Sequence, residues 1–145
     1  MKVVVDTNIL ISALIDPEGK LADILLQTHT ELELYSCYFL YIEILKHKNK
    51  LVKLSGLPES ELLELIYHIL KKIRFINEEQ IPDQIWRKAF EMTQDIDEKD
   101  TPFVALTLYL KSFLWTGDKI LIKGLKERFF DNVLTSQELL NKLRA

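Results

Sequence analysis

A chain of 145 residues, 48% apolar and 28% charged, has the composition of a soluble globular protein and the length of a single domain with its own core. A formal net charge of −3 withholds the basic surface that grips nucleic acid through its phosphates, so such a partner would need local basic patches or bound cations. One cysteine, Cys37, excludes an intramolecular disulfide and a cysteine-based metal site, and no apolar run nears the ~20 residues of a membrane span.

The first apolar run, KVVVD at residues 2–6, reads as a short strand buried on both faces. It starts too early to leave room for a signal peptide, so a cytoplasmic address is expected. TNILISALI then starts a helix that breaks near Pro17 and Gly19. KLADILLQT is amphipathic, with Leu21, Ala22, Ile24 and Leu25 as its apolar positions. LELYS is a second short strand. Helical spacing returns over residues 38 to about 54, with Phe39, Ile42, Leu45 and Leu51 in phase. SGLPE has turn chemistry. Residues 60–73 form another helix whose buried face is Leu62, Leu63, Ile66, Ile69 and Leu70. RFIN is a strand or an extended link. Residues 82 to about 96 are helical again, with Ile85, Ala89 and Met92 inward and Pro82 in the first turn.

After DIDEKD, a helix starts with Pro102 at its first position and Thr101 or Asp100 as its cap. SFLWTGD is a strand ending at Thr116. DKILIKGLKERF is a short helix, broken at Gly124. NVLTS is the last strand and QELLNKLRA the last helix. There is no internal repeat. Strands alternating with helices predict an α/β fold with a mostly parallel sheet and helices on both faces.

The acids fall in a pattern on this frame. Asp6 ends the first strand, Asp100 opens a helix and Asp118 follows the FLWT strand, while Glu43 lies in the helix after the second strand. In an open parallel sheet all strand C-termini share one edge, and ligands bind there. Taken singly, Asp6, Asp100 and Asp118 read as helix caps, Glu43 and Asp97 as surface acids. Gathered together, they would repel by about 4 kcal/mol per pair at ~4 Å and an effective dielectric of ~20. Such a cluster stays ionised with bound cations, and oxygen ligands of this hardness select Mg²⁺ or Mn²⁺. Acids holding one or two such ions point to phosphodiester hydrolysis. His29, His47 and His68 show no paired metal-ligand spacing. Two basic runs, one of Lys46, His47, Lys48, Lys50 and Lys53, the other of Lys119, Lys123, Lys126 and Arg128, read first as solvated helix faces and second as substrate contacts.

DTNIL, YIEIL, DEKDTPFVALTL and WTGDKIL, in that order and at that spacing, closely resemble the PIN-domain family, and VLTSQELL resembles its closing strand and helix. The resemblance covers nearly the whole chain. It implies one three-layer α/β/α domain over residues 1–145 that acts as a Mg²⁺- or Mn²⁺-dependent ribonuclease. It also implies kinship with small prokaryotic VapC-type toxins, which cleave RNA and are held inactive by an antitoxin; a homodimer is implied too. By position, Asp6, Glu43, Asp100 and Asp118 match the family's metal-binding acids, and Asp97 could add an auxiliary ligand. Asn8 matches the polar residue after the first acid, and Thr116 a hydroxyl that orients water or a ligand carboxylate. The basic runs are modest for such a toxin, and residues 46–74 are the least family-like part. Two other classes remain open: a PIN-fold module that binds RNA or protein without useful catalysis, and an aspartate-based phosphatase. The phosphatase pattern needs an acid at position 8, where this chain has Asn8.

Overall fold

The computed structural model describes residues 1–27 and 29–144. Its five strands are β1 (Lys2–Val5), β2 (Glu33–Cys37), β3 (Ile73–Ile76), β4 (Phe113–Trp115) and β5 (Val133–Leu134). They form one sheet in the order β3-β2-β1-β4-β5, and every pairing is parallel. RFIN is therefore a strand. Val3, Val4 and Val5 have no exposed surface, as a central strand covered on both faces requires. From β1 the chain moves outward through β2 and β3, then crosses back to β4 and β5. The ends of β1 and β4 thus flank the point where crossovers depart in opposite directions, which is where such sheets open a crevice.

The helices are α1 (Thr7–Ile15), α2 (Lys20–Leu26), α3 (Tyr38–Lys46), α4 (Lys48–Ser55), α5 (Glu59–Leu70), α6 (Asp83–Thr93), α7 (Thr101–Leu110), α8 (Lys119–Glu127) and α9 (Ser136–Arg144). The first five pack among themselves; α6, α7 and α8 form a second group, with α7 against β1, β2 and β4. This is the three-layer α/β/α arrangement, with the sheet and the inner helix faces sharing one core. No helix among the described residues is long and apolar enough to cross a membrane. Thr28 and Ala145, at the ends of the expected second and last helices, lie outside the described residues.

Four local expectations change. The helix expected over residues 38–54 divides at His47, whose backbone (φ −99°, ψ 8°) leaves the α region, giving α3 and α4. Leu40 and Ile44, one turn apart, are the residues of α3 that the core buries, while Ile42 and Leu45 are about half exposed. Likewise Leu63 of α5 is exposed and Leu62, Ile66 and Ile69 are buried. The outward apolar residues, with Tyr38, Tyr41 and Tyr67, line an open groove of about 700 Å³. Pro82 stands just before α6, where its missing N–H still costs nothing. Gly124 does not break α8; a side chain there would run into Ile96, so glycine lets α8 approach the loop after α6.

A buried hydroxyl pair fixes α6 to the start of α7. Thr93 donates to the Ala89 carbonyl (2.8 Å), so Thr101 must donate to Thr93 across 2.6 Å. Thr93→Val leaves the Thr101 O–H unpaired in a buried place. We expect a loss of about 1–3 kcal/mol in urea denaturation; an unchanged midpoint would show that the pair contributes nothing.

Candidate active site

Asp6 continues β1 by one residue, its N–H donating to the Trp115 carbonyl of β4 (3.1 Å). It precedes α1 in the cap position, yet its side chain makes no cap bond. The carboxylate instead accepts from Thr116 Oγ1 at 2.7 Å, and both residues are buried. Thr116 Oγ1 in turn accepts from Asn8 Nδ2 (3.2 Å) and from the Asp118 N–H (3.1 Å), while Asn8 Oδ1 accepts from the Gly117 N–H (3.2 Å). One donor and two acceptor sites saturate that hydroxyl. The ends of β1 and β4 are therefore locked together through side chains. Thr7 adds a second lock: its hydroxyl donates to Glu43 Oε1 at 2.6 Å, fixing α3 to the end of β1. Thr7 had no assigned part in the sequence reading, although it sits inside the DTN motif itself.

The other acids divide by what their oxygens do. Asp118 caps α8, with Oδ1 accepting from the Ile120 and Leu121 N–H groups at 3.0 and 3.1 Å. Asp97 is exposed and caps a short 3₁₀ turn through the Lys99 N–H (3.0 Å). Asp100 holds the cap position of α7, but its backbone is helical and its side chain caps nothing. Pro102 is accordingly the second residue of α7 rather than the first. Asp100 is 9% exposed, and its Oδ2 is buried without a hydrogen-bond partner among the described residues. The cap reading thus holds for Asp118 and fails for Asp6 and Asp100, while Asp97, read as a surface acid, is exposed and also caps a turn.

Burial pushes the Asp6 carboxyl up from 3.8 to about 6; the Thr116 hydrogen bond and the Thr7 backbone pull it down, and the charges of Glu43 and Asp118 raise it further. Asp100 rises from 3.8 to about 8, first through burial and then through Asp6, Asp97, Asp118 and Glu43. Asp100 therefore lies within electrostatic reach of the other four acids. As placed, no three His, Cys, Asp or Glu side chains among the described residues are drawn together closely enough to hold a metal ion. The donor set is nonetheless all carboxylate oxygen, and the unpaired Oδ2 of Asp100 is satisfied by a proton or by a hard cation. In donor type, though not in their spacing as placed, the acids suit a hard divalent ion. Cys37 is buried, which pushes its thiol up to about 12 and leaves it no nucleophile at neutral pH. Of the basic runs, Lys48 is paired with Glu59 (2.7 Å) and Arg128 lies 3.7 Å from Asp95.

The family model described as PIN domain matches residues 4–139. The chain belongs to the PIN-domain family. Its fold is shared with solved chains of low sequence identity. One is in the structure of VapBC2 from Rickettsia felis bound to a DNA fragment from their promoter: TM-score 0.65, 13% identity, 94% of this chain and 98% of that one covered. PAE2754 from Pyrobaculum aerophilum gives a TM-score of 0.71 at 16% identity over 99% and 90%. VapBC-1 from nontypeable Haemophilus influenzae gives 0.66 at 16% over 93% and 98%. No curated protein sequence matches significantly.

The raised carboxyls of this PIN domain make a stability prediction. Both are protonated more readily in the folded state than in an unfolded chain, so their contribution is complete below about pH 4. It is lost as pH climbs through about 6 and then about 8. In chelator, the melting temperature of Asp100→Asn should therefore gain on wild type between pH 5 and pH 8.5, by about 3 °C or more. Parallel curves would mean that Asp100 titrates normally.

Proposed function

We propose that this PIN-domain protein is a divalent-metal-dependent endoribonuclease and that Asp6, Glu43, Asp100 and Asp118 hold one or two Mg²⁺ or Mn²⁺ ions. The observation that carries the reading is the buried, unpaired oxygen of Asp100 amid Asp6, Glu43 and Asp118. A bound divalent ion supplies Lewis acidity and offsets charge in phosphodiester hydrolysis. The chain's own work is orientation. Thr116 holds one oxygen of Asp6, Asn8 holds Thr116, and Thr7 holds Glu43. The first amides of α8 hold one oxygen of Asp118. With a cation bound, Asp100 would be held in its ionised form as one of the ligands. Asp97 stands in reserve as an auxiliary ligand. Water is the nucleophile, and no side chain forms a covalent bond with the substrate.

The same reading makes the protein, as one domain spanning residues 1–145, the toxin of a toxin–antitoxin pair in the cytoplasm. A protein antitoxin would restrain it, and it would self-associate as a homodimer. Its support is family membership together with the likeness to chains solved in VapBC structures. Mixed single-stranded and structured RNA, incubated with purified protein in Mg²⁺, in Mn²⁺ and in chelator, tests the activity. Cleavage should need metal and fall at least about 100-fold in Asp6→Asn and Asp118→Asn. Metal-independent cleavage, or full activity in Asp6→Asn, would refute the mechanism. Intact RNA throughout would leave a PIN-fold binding module.

A further inference from the structure

The acids account for hydrolysis but supply nothing that grips a strand of RNA. Beside them lies a feature with different chemistry. Between α6 and the start of α7 an open cleft of about 460 Å³ is lined by Trp86, Arg87, Phe90, Glu98, Thr101 and Pro102. That volume is in the ~300–1,000 Å³ range of small-ligand sites. Glu98 precedes Asp100 by two residues, and Thr101 and Pro102 directly follow it, so the cleft and the candidate site draw on one stretch of chain.

We propose that this cleft is a subsite for one unstacked nucleobase of a single-stranded RNA substrate, an inference that rests on the ribonuclease reading. Trp86 and Phe90 are four residues apart on α6 and share a helix face. Phe90 is 43% exposed, a ring that the core leaves to solvent. The Trp86 indole N–H is already spent on the Glu78 carbonyl (3.3 Å), and the ring, packed in part against the core, also lines the cleft. Unpaired bases bind proteins by stacking on such rings and on guanidinium planes. Arg87 supplies the guanidinium. It is exposed and makes no ion pair among the described residues, so it is available to stack or to take the adjoining phosphate. Glu98 decides which part of the nucleotide enters. A carboxylate repels phosphate, whereas it accepts hydrogen bonds from the amino groups of bases. The Thr93–Thr101 hydroxyl pair ties one lining residue, Thr101, to α6. Stacking beside Asp100 would also supply the grip that a chain of net charge −3 lacks in long-range attraction.

The chain's two tryptophans allow a direct test. Trp115 has no exposed surface, so a base entering the cleft should quench Trp86 alone. The probe is a single-stranded oligoribonucleotide of mixed sequence, titrated into wild-type protein in chelator so that metal-dependent cleavage does not intervene. An abasic strand of equal length serves as its comparison. We expect quenching by the base-bearing strand that disappears in Trp86→Phe, and affinity about 5- to 100-fold lower in Phe90→Ala. The abasic strand should bind wild type and Phe90→Ala alike. Thermal melting confirms that the exposed Phe90 is dispensable for folding. RNA binding without quenching and without dependence on Phe90 overturns the subsite and leaves the nuclease reading intact. Phe90-dependent binding by a protein that cleaves nothing keeps the subsite and removes the nuclease. Absence of RNA binding in chelator by a preparation that cleaves RNA in Mg²⁺ overturns the subsite alone.

Discussion

The parallel pairing of β1 with β4 is the constraint on which the rest depends. It brings Asp6 and Thr116, 110 residues apart in the chain, to a 2.7 Å hydrogen bond at the edge of the sheet. Both strands are short, and both end in buried positions. A short parallel pair has few backbone bonds of its own, so the side-chain circuit through Asn8, Thr116, Gly117 and Asp118 extends the pairing past the strand ends. That circuit holds a carboxylate in place without using it as a helix cap. The geometry comes from rigid elements rather than loops, as a site that must hold its ligands to within ~0.5 Å requires.

Gathering acids on that edge opposes stability. Burial and mutual repulsion hold protons on Asp6 and Asp100 well above the ordinary carboxylate range. The rest of the molecule absorbs this strain with a continuous core, from Val3 in the central strand to Leu139 in α9. Asp100 concentrates the conflict: it is buried, has one oxygen unpaired and feels the charges of four other acids. Stability alone would favour asparagine there. On the proposed reading a bound cation offsets that cost, so the site and its cost would have one explanation.

Much of this was legible in the sequence, for physical reasons. A run of three valines followed by an acid could only be a doubly covered strand stopping at an edge. The alternation of such strands with helices gave the parallel order. Asp6 and Asp118 could be placed near one edge because strand C-termini in a parallel sheet share it, Asp100 by its helix N-terminus, and Glu43 only on condition that its helix lay over that edge. Other features depend on tertiary contacts that periodicity does not encode. In α3, both Leu40 with Ile44 and Ile42 with Leu45 are apolar pairs, so the buried face follows only from where β2 ends. Gly124 looked like a break because its neighbour Ile96 is distant in sequence. The difference between Asp118, a cap, and Asp100, unpaired, lies in one backbone conformation that their similar settings in sequence do not reveal. Thr7 and the cleft beside Phe90 emerge only once α3 and α6 are set against their neighbours.

The central claim is that these acids form a cation site, and calorimetric titration of Mn²⁺ into metal-free protein near pH 7 tests it most directly. Buffers of different ionisation enthalpy would count the protons released. The account predicts saturable binding of one or two ions with net proton release, and a smaller proton count in Asp100→Asn. Saturable binding without proton release would contradict the role given to Asp100. No binding at millimolar Mn²⁺ would contradict the cation site itself.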